Sequence, residues 1–230
     1  ALVIVLAGGI GLVNGVVTTW IRVPSFIVTL AMLSLLKGIN LVMTSAFPIP
    51  YPDTVVSSSF FQITGGRWMG IPAQVFWMVG IVAAGHVLLS KTVFGYHVYA
   101  TGGNARASRS LGVNTALIKT WTFILTGMLV GVVAALNAGW LHMASPTTGT
   151  GFELDVIAAV IIGGTALYGG LGTVYGTFMG AFILGMMKIG IILLGLNAFW
   201  DPVGVGGIII LAAMLGALVQ RRTQVQSAGT

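Results

Sequence analysis

Charged side chains are scarce in this sequence. Among its 230 residues there are 10 lysines and arginines and 4 acidic residues, so 6% of the chain is charged and 57% is hydrophobic. A soluble domain carries roughly a quarter charged residues, and one of this length could not cover its surface with so few. The composition excludes a water-soluble enzyme domain. It predicts a single membrane domain over residues 1–230 with an all-α fold, a polytopic bundle of transmembrane helices.

Cysteine is absent, which excludes disulfide bonds, thiolate chemistry and cysteine-bound metal. Nucleotide and zinc-protease motifs are missing as well. No lysine completes a P-loop, and the three histidines, His86, His97 and His142, are far apart in the sequence. We therefore expect no catalytic residue, no metal and no cofactor on this chain. If transport by this protein uses ATP, a separate subunit must hydrolyse it.

Long apolar runs account for most of the chain. A spanning helix needs roughly 20 apolar residues, and the runs predict about seven membrane segments. The fifth run is short, so by itself it could be either a crossing or a re-entrant half-helix. The runs cover residues 1–20, 27–46, 71–90, 117–141, 155–167, 173–195 and 203–219.

Basic residues are concentrated between Lys91 and Lys119 and in the tail at Arg221 and Arg222. Lysine and arginine collect in cytoplasmic loops, so both regions, and with them the C-terminus, are predicted to be cytoplasmic. This orientation accounts for the net charge of +6 without a nucleic-acid partner. Two cytoplasmic ends need an even number of crossings between them, so the short fifth run is predicted to cross. The outer loops are then 47–70, 142–155 and 196–203, and they contain all four acidic residues.

The polar segment 94–113 has an internal order. A pair of glycines is expected to break the chain, and a following asparagine caps a short surface helix. Two arginines share one face of that helix, and a glycine ends it. A capped helix that projects from a membrane domain needs a partner; the alternative is a solvated loop whose charges only set the topology. In chain order these residues are Gly102, Gly103, Asn104, Arg106, Arg109 and Gly112, with the helix over 105–111.

Residues 95–112 resemble the cytoplasmic coupling loop of bacterial ABC importer permeases of the ribose, xylose and galactose class, within the branched-chain amino acid and sugar permease superfamily. That loop typically reads Gly-x-x-x-Tyr-Ala-x-Gly-Gly-Asn-x-x-Ala-Ala-x-x-Ser-Gly. This chain departs from it at Ser108, where a second alanine is usual, and at Leu111, where a serine is usual. The resemblance marks Gly95, Tyr99, Gly102, Gly103, Asn104, Arg106, Ala107, Arg109 and Gly112 as the loop that meets the ATPase.

Two further stretches are similar to the same family. Residues 22–30 read Arg-Val-Pro-Ser-Phe-Ile-Val-Thr-Leu. Residues 153–165 read Glu-Leu-Asp-Val-Ile-Ala-Ala-Val-Ile-Ile-Gly-Gly-Thr and are followed by glycines at 169, 170 and 172. The three stretches follow one another in the family's order and are spread from residue 22 to residue 172, so the resemblance is specific.

The resemblance implies a permease subunit that moves a monosaccharide such as ribose or xylose across the bacterial inner membrane by alternating access. It implies four partners: a cytoplasmic ABC ATPase subunit, a second copy of the permease, a periplasmic sugar-binding protein at the outer loops, and membrane lipid. The family has about ten spans against the seven predicted here, so about three N-terminal helices are expected to be missing from this fragment. The alternative is an ion-coupled secondary transporter or channel for a small polar solute. It would need carboxylates inside the membrane, whereas the acidic residues here are predicted to lie in loops.

Two lysines lie inside apolar runs, Lys37 in the second and Lys188 in the sixth. A lysine within the membrane is costly and is by default a candidate for the translocation pathway. It could instead snorkel to the interface or form a structural ion pair. The family often has asparagine near the position of Lys188, whereas a basic residue is common at Lys37, which favours a structural role there.

A glycine-rich segment, residues 163–172, is the second candidate for the pathway. About 13 helical residues of the fifth run cover only about 20 Å of a roughly 30 Å membrane core, so this segment must complete the crossing. Its amides would lack partners in lipid, and we therefore expect it at the centre of the bundle. Gly164 and Thr165 are then candidates for contact with a polar substrate. The alternative is that the glycines only allow tight packing.

Small residues spaced four apart predict close helix packing. Gly172, Gly176 and Gly180 stand at i, i+4 and i+8 and are expected to share one face of the sixth run. We expect such faces to pack inside one bundle, with self-dimerisation as the alternative. Further pairs at this spacing are Gly11 with Gly15 and Gly127 with Gly131.

Overall fold

A computed structural model describes residues 1–166, 169–211 and 214. Helices dominate, as predicted, and the strands are two-residue pairs. The helices are α1 (Leu2–Trp20), α2 (Ser25–Thr44), α3 (Asp53–Val56), α4 (Ser59–Gly65), α5 (Ala73–Lys91), α6 (Val93–Gly103), α7 (Ala105–Ser110), α8 (Thr115–Leu141), α9 (Phe152–Ile162), α10 (Val174–Leu193) and α11 (Asp201–Leu211), with a 3-10 turn at Ala198–Trp200. The strands are β1 (Ile49–Pro50), β2 (Arg67–Trp68), β3 (Ile71–Pro72) and β4 (Met143–Ala144); β1 pairs with β4 and β2 with β3, both antiparallel.

Five of the described helices, α1, α2, α5, α8 and α10, are long and apolar enough to cross a membrane. The prediction of an all-α polytopic membrane fold is therefore confirmed. The fifth apolar run forms α9, which has 11 residues. The seventh run begins as α11, and most of its remaining residues lie outside the described ones, as do Arg221 and Arg222.

The surface of these helices is apolar. Over the 20 residues of α2, Val28 is the buried residue, and Leu33, Leu35 and Ile39 are among those exposed. Water would not tolerate so much contiguous apolar surface. Lipid does tolerate it. A lipid environment therefore explains both the low share of charged residues and the exposed apolar surface of these helices.

The first of two compact units comprises residues 1–83 and 105–148. In it α1 packs along α8 through glycines: a Cβ on Gly11 would meet the backbone of Phe123, and one on Gly127 would meet the backbone of Ala7. Small residues let two helix backbones approach this closely. The glycine pairs of α1 and α8 therefore face each other within one chain.

The second unit comprises residues 84–104 and the described residues from 149 onward. Its buried apolar cluster joins three helices, with Ala158 and Ala159 from α9, Leu184 from α10 and Val205 from α11. The cluster is small because the outward faces of these helices need no burial in lipid.

Acidic residues begin helices, whereas the sequence placed all four of them in loops. Glu153 and Asp155 lie in the first turn of α9, Asp53 starts α3 and Asp201 starts α11. Unpaired backbone amides and the helix dipole stabilise negative charge at a helix N-terminus. This preference explains why the helices extend further toward their acidic residues than the apolar runs do.

Candidate functional site

Helix α6 forms the first half of the segment that resembles a coupling loop. Thr92 caps it, and its hydroxyl oxygen accepts a hydrogen bond from the amide of Gly95 at 3.2 Å. The helix includes Gly102 and ends at Gly103, with Asn104 as its C-cap. The break that was predicted at the two glycines is present one residue later, at Asn104, and the glycines are the last two residues of α6.

The two glycines at the end of α6 allow its backbone to lie directly against the backbone of a distant segment. A Cβ on Gly102 would meet the backbone of Gly170, and a Cβ on Gly170 would meet the backbone of Gly103. Gly169 also lies against Gly102, at a slightly longer distance. Alanine on either side would force the two segments apart, so the contact requires glycine on both sides.

The second half of the segment is the short helix α7, which begins directly after Asn104, a residue with extended backbone. Arg106, Ala107 and Arg109 are exposed on this helix. Gly112 has a φ of +84° and terminates it, while the amide of Val113 donates to the carbonyl of Ser108 at 3.0 Å. The short helix predicted over 105–111 is present, and the loop is thus a structured element that exposes two arginines.

Tyr99 links α6 to the segment that precedes α10. Its hydroxyl donates a hydrogen bond to the carbonyl oxygen of Gly172 at 2.7 Å. Gly95 is buried at the other end of α6, where a Cβ would meet the carbonyls of Leu88 and Leu89. Gly95 at the start of α6 and Gly102 at its end therefore both allow close contacts that hold the helix in place.

The end of α9 is closed by a Schellman motif. Gly164 has a φ of +79°, its amide donates to Ile161 at 3.0 Å, and the amide of Thr165 donates to Val160 at 3.1 Å. The amides around Gly164 were expected to lack partners, and that expectation was wrong, since a local turn satisfies them. Gly164 is exposed and Thr165 is half-buried, with its side chain against Gly172.

The predicted glycine face of the sixth run is only partly on a helix. Gly176 and Gly180 lie on α10 and pack against the backbone of Gly163 and Ala159 at the end of α9. Gly172 precedes the helix, because Thr173 caps it by accepting a hydrogen bond from the amide of Gly176 at 3.0 Å. Of the three glycines that were predicted to share one helix face, Gly176 and Gly180 do so, and Gly172 lies in the turn before the helix.

The two intramembrane lysines have different surroundings. Lys188 of α10 forms ion pairs with Asp155 of α9 at 2.6 Å and with Asp201 of α11 at 3.0 Å. Lys37 is exposed on α2, and within the described part of the chain it forms no ion pair. Sequence reasoning could mark both lysines as unusual, but it could not identify the partners of Lys188.

A cavity of about 410 Å³ lies in the first unit, at the start of α5 and the end of α8. Its polar groups come from amides and an indole, and no charged residue lines it. Both amide atoms of Gln74 are buried and have no hydrogen-bond partner among the described residues. The lining consists of Pro72, Gln74, Val133, Leu136, Asn137 and Trp140.

A family model described as the branched-chain amino acid transport system / permease component matches residues 1–218. The chain belongs to this family. It is a transport subunit rather than an enzyme, and a multi-pass membrane protein.

Curated relatives agree with this assignment. The ribose import permease protein RbsC of Escherichia coli K12 is 40% identical over 216 residues, 94% of this chain and 67% of the relative. The L-arabinose ABC transporter permease protein AraH of Azospirillum brasilense is 37% identical over 91% of this chain and 61% of the relative. The autoinducer 2 import system permease protein LsrC of Photorhabdus luminescens is 32% identical over 89% of this chain and 60% of the relative. No solved structure matches the chain.

Proposed function

We propose that this chain is the permease subunit of an ABC importer that carries a monosaccharide, ribose or a related sugar, across the bacterial inner membrane. One observation carries the proposal, the 40% identity to a ribose import permease over 94% of the chain. The arabinose permease at 37% identity extends the support to a second pentose. Because the chain spans about 60 to 67% of the length of these relatives, the activity is proposed for the whole permease that contains it.

In this proposal ATP is bound and hydrolysed by a separate cytoplasmic ABC ATPase, which docks on the loop at 95–112. The exposed Arg106 and Arg109 on the short helix α7 support docking, since a structured basic element suits an acidic partner surface. ATP binding by the docked ATPase moves this loop, which rocks the helices and exposes a central path alternately to the two sides of the membrane. A second copy of the permease completes the path, and the C-terminus lies in the cytoplasm with the ATPase.

A periplasmic sugar-binding protein would deliver the substrate to the outer loops. The strand pair β1–β4 supports this role, because it joins loop 47–70 to residues Met143–Ala144 of the next predicted outer loop. The amide of Tyr51 adds a hydrogen bond to the carbonyl of His142 at 3.1 Å. A docking surface needs such order, because a flexible loop would lose entropy on binding.

A neutral substrate fits the uncharged cavity in the first unit better than an amino acid does. Amides bind sugar hydroxyls and aromatic rings stack against the C–H face of a sugar, and Asn137 and Trp140 are among the residues that line the cavity. A zwitterionic amino acid would need opposed charges or helix ends. The ion-coupled alternative is disfavoured, because the carboxylates of Asp155 and Asp201 are already held by Lys188.

The substrate class can be tested by uptake in cells that lack their own pentose importers. The intact permease, expressed with its ATPase and binding protein, is expected to restore uptake of labelled ribose or arabinose. Unlabelled sugars should compete, whereas leucine should not. Restored uptake of leucine without uptake of any monosaccharide would contradict the proposal.

A further inference from the structure

Helix α6 and the turn before α10 meet in a contact made almost entirely of backbone. Gly102 and Gly103 of α6 lie against Gly169 and Gly170. Beside them the hydroxyl of Tyr99 reaches the carbonyl of Gly172 at 2.7 Å. Tyr99 thus supplies the one side-chain hydrogen bond described between α6 and residues 169–172.

The geometry of this contact leaves little room for adjustment. Gly169 and Gly170 have φ values of +90° and +83°, and Gly172 has +155°, so side chains there would be strained. Between two backbones in contact there are no rotamers that can absorb a push of one segment against the other. Glycines have no side chains that interlock, so the contact by itself does not resist a displacement along its surface.

Gly172 is well placed to pass such a movement into the membrane. The next residue, Thr173, caps α10 through the amide of Gly176, and α10 has 20 residues, enough to span the membrane core. A shift of α6 must therefore carry the start of α10 with it or break the hydrogen bond of Tyr99.

We propose that Tyr99 is the positioning residue that couples the docking loop to α10, through its hydrogen bond to Gly172. The proposal rests on the proposed function, in which a cytoplasmic ATPase docks on residues 95–112. Without the hydroxyl, α6 can slide along the glycines at 169 and 170. Part of the movement that the ATPase imposes on α6 is then not transmitted to α10.

The test is Tyr99→Phe, which removes the hydroxyl and keeps the ring. The complex of permease, ATPase and binding protein is assembled in proteoliposomes, and the number of sugar molecules imported per ATP hydrolysed is measured. We expect unchanged ATPase binding and a ratio lower by roughly five-fold, the factor that corresponds to a hydrogen bond worth about 1 kcal/mol. A purely structural role would lower the amount of complex, and uptake and hydrolysis would fall together at a constant ratio.

Two further variants make the result specific. Tyr175→Phe, the same change at a tyrosine outside the docking loop that is 62% exposed on α10, should keep the parental ratio. Gly172→Ala should lower the ratio as Tyr99→Phe does, because its Cβ would meet the side chain of Thr165. A parental ratio in Tyr99→Phe, or a fall in complex amount at constant ratio, overturns the proposal while ATP-driven uptake by the parent keeps the proposed function intact. If the parent itself shows no ATP-driven uptake, both fail.

Discussion

Lys188 is bound by Asp155: the Nζ of the lysine lies 2.6 Å from the Oδ2 of the aspartate, which is 33 residues earlier in the chain. Asp201 approaches the same ammonium group at 3.0 Å. The three side chains are 31%, 25% and 31% exposed. Because they come from α10, α9 and α11, one shared cation ties together the same helices as the apolar cluster of the second unit.

Removing the lysine should destabilise the protein. In Lys188→Met the two carboxylates would face each other without a cation, and breaking a fully buried pair costs about 3–5 kcal/mol. Partial exposure reduces that figure, so we expect about 1–2 kcal/mol. Thermal unfolding in detergent measures it, with Lys37→Met as the control that should melt like the parent.

The same ion pairs predict a rescue. A triple variant, Lys188→Met with Asp155→Asn and Asp201→Asn, has no uncompensated charge and should melt closer to the parent than Lys188→Met does. If Lys188→Met alone melts at the parental temperature, the ion pairs contribute nothing to stability.

Charge reversal on α7 should uncouple transport. In Arg109→Glu the exposed arginine of the docking loop becomes repulsive to an acidic surface. We expect normal insertion and loss of most sugar uptake, while the ATPase alone remains active. Lys119→Glu, an exposed basic residue at the start of α8, is the control and should retain uptake. Normal uptake by Arg109→Glu would refute docking at this site.

Overpacking at Gly176 should destabilise the contact between α9 and α10. A Cβ at this position would meet the backbone of Gly163, and backbone cannot move aside as a side chain can. Gly176→Leu is expected to cost about 1–3 kcal/mol or more. Gly185→Leu lies on the same helix where a Cβ meets nothing and should melt like the parent; equal melting of both variants would contradict the packing.

The pathway role of the turn after α9 can be tested by labelling, because the chain has no native cysteine. Gly164→Cys and Thr165→Cys should react with a water-soluble thiol reagent in at least one transport state. Ile183→Cys, on an exposed apolar face of α10, should stay unlabelled in lipid. If neither 164 nor 165 reacts in any state, the turn serves packing alone.

Much of the fold could be predicted because lipid imposes a simple rule on sequence. The apolar run 117–141 corresponds to α8 at Thr115–Leu141, and the run 173–195 to α10 at Val174–Leu193. Backbone groups in lipid must bond within their own helix, so length and apolarity are sufficient. The ends were less predictable: α9 starts at Phe152 because acidic residues suit its first turn.

The site was less predictable because its contacts join distant parts of the chain. The glycines of α6 could mark a nearby helix end, but their approach to Gly169 and Gly170 is visible only in the fold. The partner of Tyr99 is a backbone carbonyl 73 residues away, which no side-chain pattern marks. Lys188 could be recognised as costly, but its two partners depend on how three helices pack.

The most direct test of the proposed function is uptake of labelled ribose into proteoliposomes that contain the intact permease, its ATPase and its binding protein. We expect uptake that requires hydrolysable ATP and the binding protein, and that is unaffected by sodium or proton ionophores. Uptake driven by a sodium or proton gradient in the absence of the ATPase would contradict the account and identify an ion-coupled transporter.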